Sequence, residues 1–102
     1  MSVTISASPE KQTVNVTING RFDFSQHEEF GKVLDYTKDR NFNRYIIDLG
    51  GVEEIDSSAI GMILLLKDMA GGDSCKIELT RIRASIKEEL QIANIDRLVK
   101  VA

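Results

Sequence analysis

The sequence predicts a small α/β fold in which a mixed β-sheet of about five strands packs with three or more α-helices. Short β-rich runs alternate with segments of helical periodicity along the chain. Repeated strand–helix–strand units require right-handed crossovers, which build a sheet that is parallel at least in part. The 102 residues, 42% of them hydrophobic, suffice for one core but not two. We therefore expect a single domain over residues 1–102.

The chain begins with a predicted β-hairpin. Apolar and polar residues alternate over residues 3–7 and again over 14–18, the pattern of strands with one buried face. Between these runs, Pro9 lies in a short polar segment that predicts a turn. Gly20 follows the second strand.

Helices are predicted on both sides of the central segment, one over residues 26–39 and one that follows Ser85 and ends near residue 94. Each follows a capping-box pattern, a serine with a glutamate three residues later. The two pairs are Ser25 with Glu28 and Ser85 with Glu88.

The central segment is predicted as a buried strand followed by a buried helix. Residues 45–49 form a short apolar run with β-branched content, and Gly50-Gly51 are predicted to end it. Residues 57–70 are apolar nearly all round, so we expect this helix to be largely covered, with Gly71-Gly72 as its stop. Two further short strands are predicted at 75–79 and 98–101.

Composition argues against several classes of protein. The formal net charge of -3 is unsuited to a nucleic-acid surface. The longest uninterrupted apolar run, residues 62–66, is too short for a bilayer, which requires about 20 residues, and residues 1–5 lack the pattern of a secretory signal. The lone Cys75 excludes an internal disulfide and indicates a reducing compartment. The predicted location is the cytoplasm.

The sequence lacks a recognisable set of catalytic or metal-binding residues. His27 falls among polar residues at the start of the first predicted helix, where an exposed side chain is expected, and Cys75 is expected to be a small buried residue. The glycine pairs lack the Lys-Ser or Lys-Thr of a phosphate-binding loop. We therefore predict no enzymatic activity, no metal site and no cofactor.

The junction between the central strand and its helix is the candidate functional site. Asp56, Ser57 and Ser58 lie where the first N–H groups of a helix point outward at the positive end of its dipole. Such a site accepts a phosphate. The alternative is that Asp56 or Ser57 serves only as an N-cap, the commonest use of these residues.

Two motifs in the expected order give the chain a resemblance to the STAS domain family, named for sulfate transporters and anti-sigma factor antagonists. The segment IIDLGGVEEIDSSAIG, residues 46–61, is similar to the family's most diagnostic segment. The tetrapeptide GRFD, residues 20–23, resembles the short motif that closes the second strand. The resemblance covers essentially the whole chain.

The resemblance implies a partner switch. In stand-alone members, the serine that corresponds to Ser57 accepts phosphate from an anti-sigma factor that is itself a serine kinase, and phosphorylation releases that partner. A metal-dependent serine phosphatase resets the switch. Asp56 and Asp23 correspond to acidic residues that support the site. Ser58 is either a second acceptor or a residue that hydrogen-bonds locally in the first turn.

Two features near Ser57 bear on partner docking. Ala59 stands where many family members have glycine, and its methyl group is expected near the docking surface. Glu53 and Glu54 are expected to make the approach to Ser57 acidic.

Two other functions stay open. A STAS module also serves as a docking subunit in a stress-signalling scaffold, in a lipid-transport ATPase complex, or as a regulator of a signalling enzyme. Binding of a small ligand or nucleotide at the Ser57 helix start is physically reasonable, although a glycine-rich cradle is lacking.

Overall fold

The computed structural model describes residues 2–39, 41–72 and 75–101. Its sheet has five strands whose spatial order follows the chain, with β1 antiparallel to β2 and all later pairs parallel. The strands are β1 (Ser2–Ser8), β2 (Thr13–Phe22), β3 (Arg44–Ile55), β4 (Lys76–Thr80) and β5 (Lys100–Val101). The α-helices are α1 (His27–Asp35), α2 (Ser57–Met69) and α3 (Ala84–Ile92). The predicted fold class is confirmed.

One face of the sheet carries the core, because burial alternates along the central strands with the period of two expected for β-structure. All three helices contribute buried residues to the same apolar cluster. The opposite face carries half-buried, mostly polar side chains from β2, β3 and β4: Asn15, Thr17, Ile46, Asp48, Glu78 and Thr80. The domain thus has a helix layer on one side of the sheet and an open face on the other.

The prediction that Gly50-Gly51 end the central strand is wrong. β3 continues through both glycines to Ile55, and β2 likewise passes Gly20 and ends at Phe22. The β2–β3 pairing shifts register twice beside these glycines, and Gly51 lies opposite Asn19. A Cβ at Gly51 would collide with the Asn19 side chain. The glycine therefore leaves room for the Asn19 side chain against β3 and does not form a turn.

Neither predicted capping box forms. α1 is preceded by a 3₁₀ turn, Phe24–Gln26, whose own cap is Asp23. α3 begins at Ala84, one residue before Ser85, with no side-chain cap from Arg83. The N-cap position is occupied by Gln26 in α1 and by Arg83 in α3, so neither serine stands where a capping box requires it.

Element ends also differ from the predictions. α1 stops at Asp35, and a 3₁₀ turn, Tyr36–Lys38, occupies the rest of the predicted helix. β5 comprises only Lys100–Val101, whereas the sequence predicts a strand over 98–101, and a 3₁₀ turn, Ile95–Arg97, precedes this segment. β4 begins at Lys76, so Cys75 directly precedes it.

The prediction that α2 is largely covered is also wrong. Its buried stripe consists of Ala59, Ile63 and Leu66, which pack into the core. Leu64, Leu65 and Met69 are 36%, 46% and 37% exposed. With helices on one side of the sheet only, α2 has one face against the strands and a second face in solvent. In the described part of the chain, no helix is both long enough and apolar enough to span a membrane.

Candidate functional site

The carboxyl ends of β2 and β3 bring two predicted site residues together. Asp23 directly follows β2 and Asp56 directly follows β3. The Asp56 N–H donates to the Phe22 carbonyl oxygen at 3.4 Å, which joins the two strand ends. Both aspartates line a pocket of about 300 Å³. The carboxyl ends of neighbouring parallel strands lie at the same edge of a sheet. Asp23 and Asp56 are therefore close in space although they are 33 positions apart in the sequence.

Asp56 is the N-cap of α2. Its Oδ1 accepts a hydrogen bond from the Ala59 N–H at 3.0 Å, and its backbone is extended, with φ -122°. This geometry satisfies one of the unpaired N–H groups of the first turn. The capping role predicted for this junction is therefore confirmed for Asp56.

Ser57 is the first residue of α2 and is exposed, whereas Ser58 is half-buried. Asp56 supplies the cap, and Ser57 lies exposed beside the positive end of the helix dipole. Ala59, in contrast, is fully buried. Its methyl group faces the core, so the expectation that it lies near the docking surface is wrong.

Asp23 is held by its own turn. Its Oδ1 accepts hydrogen bonds from the Ser25 hydroxyl at 2.5 Å and from the Ser25 N–H at 2.9 Å. These two hydrogen bonds, with a smaller contribution from the Arg21 charge, keep the pKa of Asp23 below its ordinary value near 3.8. Asp23 is therefore a carboxylate at neutral pH, fixed in position at the pocket.

The pocket is mostly acidic. Besides the two aspartates it is lined by Glu54 and by Glu89 of α3, with Arg21 as its cation. Arg21 Nε lies 2.7 Å from Glu54 Oε2, and both side chains are more than 60% exposed. The expected acidic approach is thus formed by Glu54, whose charge Arg21 partly balances in solvent. Glu53 is exposed but does not line the pocket.

Sequence reasoning missed Glu89, which lines the pocket. Nothing local distinguishes Glu89 from the other charges of α3, because only the packing of that helix brings it to the pocket. Phe24 is 65% exposed, and its ring stacks on His27 with centroids 4.8 Å apart and planes 5° from parallel.

The solvent face of α2 continues the surface around Ser57. Gly61, Leu64, Leu65 and Asp68 follow Ser57 at intervals of four, seven, eight and eleven residues, and all are exposed. These intervals place them on the same side of a helix. We call Leu64 and Leu65 the apolar face of α2.

The other reactive side chains lie elsewhere. Cys75 is only 4% exposed, and burial raises the pKa of its thiol, as expected of a small core residue. His27 is exposed at the start of α1, as predicted. Neither residue lines the pocket that Asp23 and Asp56 share.

Comparison with known proteins gives a family match over almost the whole chain. The family model described as Mlab, STAS domain, matches residues 5–100. A STAS-domain containing protein of Pseudomonas aeruginosa is 35% identical over 102 residues, which cover 100% of both chains.

Solved structures share the fold at low sequence identity. The anti-sigma factor antagonist SpoIIAA in its unphosphorylated form is 16% identical, with a TM-score of 0.74 over 94% of this chain and 96% of that one. The Bacillus cell fate determinant SpoIIAA in its phosphorylated form is 15% identical, with a TM-score of 0.76 over 99% and 91% of the two chains. With the strand order, the Asp56 cap and the exposed Ser57 in place, the match over residues 5–100 identifies this chain as a member of the STAS domain family.

Proposed function

We propose that the whole chain, residues 1–102, acts as an anti-sigma factor antagonist controlled by phosphorylation of Ser57. The unphosphorylated form binds an anti-sigma factor that has serine-kinase activity, and the phosphorylated form releases it. One observation carries this proposal: Ser57 is exposed at the head of α2, on the same side of the helix as the apolar face. A partner seated on that face would have its active site within reach of the hydroxyl.

Phosphorylation would act across the interface without refolding the domain. A phosphate adds about 1.5 to 2 negative charges at pH 7, and at a helix N-terminus this charge is favourable by about 0.3 to 1 kcal/mol. The fold is therefore expected to persist. The partner, however, would meet a dianion beside Asp23, Asp56 and Glu54, which already line the adjacent pocket.

The size of the expected effect is enough for a switch. Desolvating an unpaired charge at an interface costs several kcal/mol, and each 1.4 kcal/mol weakens binding tenfold. A serine phosphatase of the metal-dependent class would restore the binding form. The partner kinase and the phosphatase then catalyse phosphorylation and dephosphorylation, and this chain contributes no catalytic residue.

The test is affinity capture from native extract with identification of bound proteins. Wild type and Ser57→Ala are expected to recover an anti-sigma factor with kinase activity, and Ser57→Asp is expected to lose it. Ser85→Asp is the matched control, since Ser85 is exposed in the first turn of α3. If the control loses the partner as well, added charge in general is responsible and the assignment to Ser57 fails.

A second candidate is a docking subunit that binds a constant partner. The apolar face of α2 and the Mlab description of the matching family model favour it. On this hypothesis Ser57→Ala and Ser57→Asp recover the same proteins in equal amounts, without an anti-sigma factor among them. Loss of recovery on Leu65→Ala in both backgrounds would then identify α2 as the docking element.

A further inference from the structure

The two edges of the sheet differ in how they are protected. β5 comprises two residues and includes Lys100, and a short, charged edge strand is a poor template for further pairing. β1 is seven residues long, SVTISAS, and contains no charged residue and no proline. It pairs with β2 without a bulge from Ser2 to Ser8. Among the described strands β1 has β2 as its one neighbour, so its outer backbone groups face solvent.

The side chains of β1 have a symmetric pattern about Ile5. Val3, Ile5 and Ala7 are half-buried, and Val3 and Ile5 pack against the core. Thr4 and Ser6 are exposed on the opposite side of the strand. Read outward from Ile5 in either direction, the strand has a hydroxyl residue, an aliphatic residue and then a serine.

We propose that two copies of this chain associate through antiparallel pairing of their β1 strands about a two-fold axis at Ile5. Ile5 then lies opposite Ile5 of the second copy, Val3 opposite Ala7, and Thr4 opposite Ser6. The two five-stranded sheets join into one continuous sheet. The aliphatic side chains of the two copies then contact each other on the helix side of the sheet. The hydroxyl side chains contact each other on the open face.

The pattern specifies a second copy as the occupant. A two-fold axis requires that the surface be complementary to itself, and the aliphatic and hydroxyl positions of β1 coincide under this rotation. A one-residue shift would turn every aliphatic side chain to the wrong face. A two-residue shift would keep the faces but leave strand ends unpaired, so the register about Ile5 is the one that pairs all seven residues. The strand also lacks charges that would repel an identical strand.

The pairing is weak by its size. One pair of seven-residue strands buries less area than a standard protein interface, which is about 1,600 Å² in total. The dimer is therefore expected to be reversible and concentration-dependent. β1 is separated from β3, which leads into Ser57, by β2, so the pairing does not depend on the proposed switch.

Charged residues at positions 4 and 6 test the pairing. Within one copy these positions face the uncharged Thr17 and Asn15 of β2, so new charges have no cross-strand partner there. In the dimer, position 4 lies opposite position 6 of the second copy. Thr4→Lys with Ser6→Lys then creates two like-charge pairs, whereas Thr4→Lys with Ser6→Glu creates two opposite-charge pairs at the same exposed sites.

Sedimentation equilibrium of the full chain, produced without any kinase, measures the association. Wild type is expected to dimerise, the Lys/Lys variant to associate at least about tenfold more weakly, and the Lys/Glu variant to dimerise at least as well as wild type. Mixing the Lys/Lys variant with a Thr4→Glu, Ser6→Glu variant is expected to give a heterodimer. Circular dichroism shows whether each variant is folded, and the mixed pair tests the register even where single variants stay monomeric.

Three results would overturn the proposal. The first is a wild type that stays monomeric at millimolar concentration. The second is equal association of the Lys/Lys and Lys/Glu variants, and the third is failure of the Lys/Lys variant to form a heterodimer with the Glu/Glu variant. None involves an anti-sigma factor, so this proposal and the partner switch can fail separately.

Discussion

At the scale of single residues, Asp56 stabilises the start of α2 as its N-cap. Asp56→Ala removes the hydrogen bond to the Ala59 N–H and is expected to lower the free energy of unfolding by about 1 kcal/mol. Asp56→Asn keeps a capping oxygen and is expected to retain most of that stability. Urea unfolding followed by circular dichroism measures both.

The same pair of variants separates capping from a role in phosphoryl transfer. If Asp56 only holds the Ser57 backbone, Asp56→Asn will be phosphorylated by the partner kinase at close to the wild-type rate. A stable Asp56→Asn protein with a greatly reduced rate would show that the carboxylate charge helps to orient the hydroxyl.

Asp23 gives a prediction for pH dependence. Its pKa is lowered because Ser25 donates two hydrogen bonds to the charged form, so this stabilisation is present above about pH 3.8 and is lost as the pH falls through the lower, folded-state pKa. Ser25→Ala removes the hydroxyl donor and is expected to raise the Asp23 pKa toward its ordinary value. Carboxyl NMR titration measures this directly, with Ser85→Ala as a remote control. An unchanged Asp23 pKa in Ser25→Ala would contradict the assignment.

At the scale of elements, the glycines of β3 and α2 have opposite roles. A Cβ at Gly51 would meet the Asn19 side chain, whereas one at Gly61 would meet open space. Gly51→Ala is therefore expected to destabilise the domain by about 1 to 3 kcal/mol. Gly61→Ala is expected to stabilise it by up to about 1 kcal/mol, since alanine is the better helix former.

The Gly51 effect has its own control. If Asn19 causes the clash, Gly51→Ala costs less in an Asn19→Ala background than in wild type, and chemical unfolding of the four proteins gives the coupling. Equal costs in both backgrounds would mean that the strand itself, and not its neighbour, requires glycine.

At the scale of the whole molecule, the one-sided helix layer decides what a partner can contact. Because α2 packs on the sheet with one stripe only, its Leu65 is 46% exposed on the side of Ser57. Leu65→Ala is expected to weaken binding of the anti-sigma partner at least about tenfold while changing thermal stability little. Ile92→Ala, which truncates a 75% exposed residue of α3, is the matched control and is expected to bind normally. Calorimetry with the captured partner measures both, and equal affinities would exclude the apolar face as the docking surface.

Three features could be predicted from the amino-acid sequence: the fold class, the order of strands and helices, and the placement of Asp56 and Ser57 at a strand–helix junction. These follow from local signals, namely hydrophobic periodicity and the cap chemistry of a few adjacent residues. Predictions from the same local signals were wrong for the end of β3 and for both capping boxes. Glycine and serine each occur in several structural contexts, and the local sequence does not distinguish among them.

Which residues form the site, and which side of α2 is exposed, depends on contacts between elements that are distant in the sequence. Asp23 and Asp56 share a pocket because the parallel register of β2 and β3 ends both strands at one edge, and Glu89 joins them through the packing of α3. Ala59 and Leu65 are both apolar residues of one helix, yet one is buried and the other exposed. That difference depends on which stripe of α2 meets the sheet, a non-local contact for which a nearly uniform apolar sequence contains no local signal.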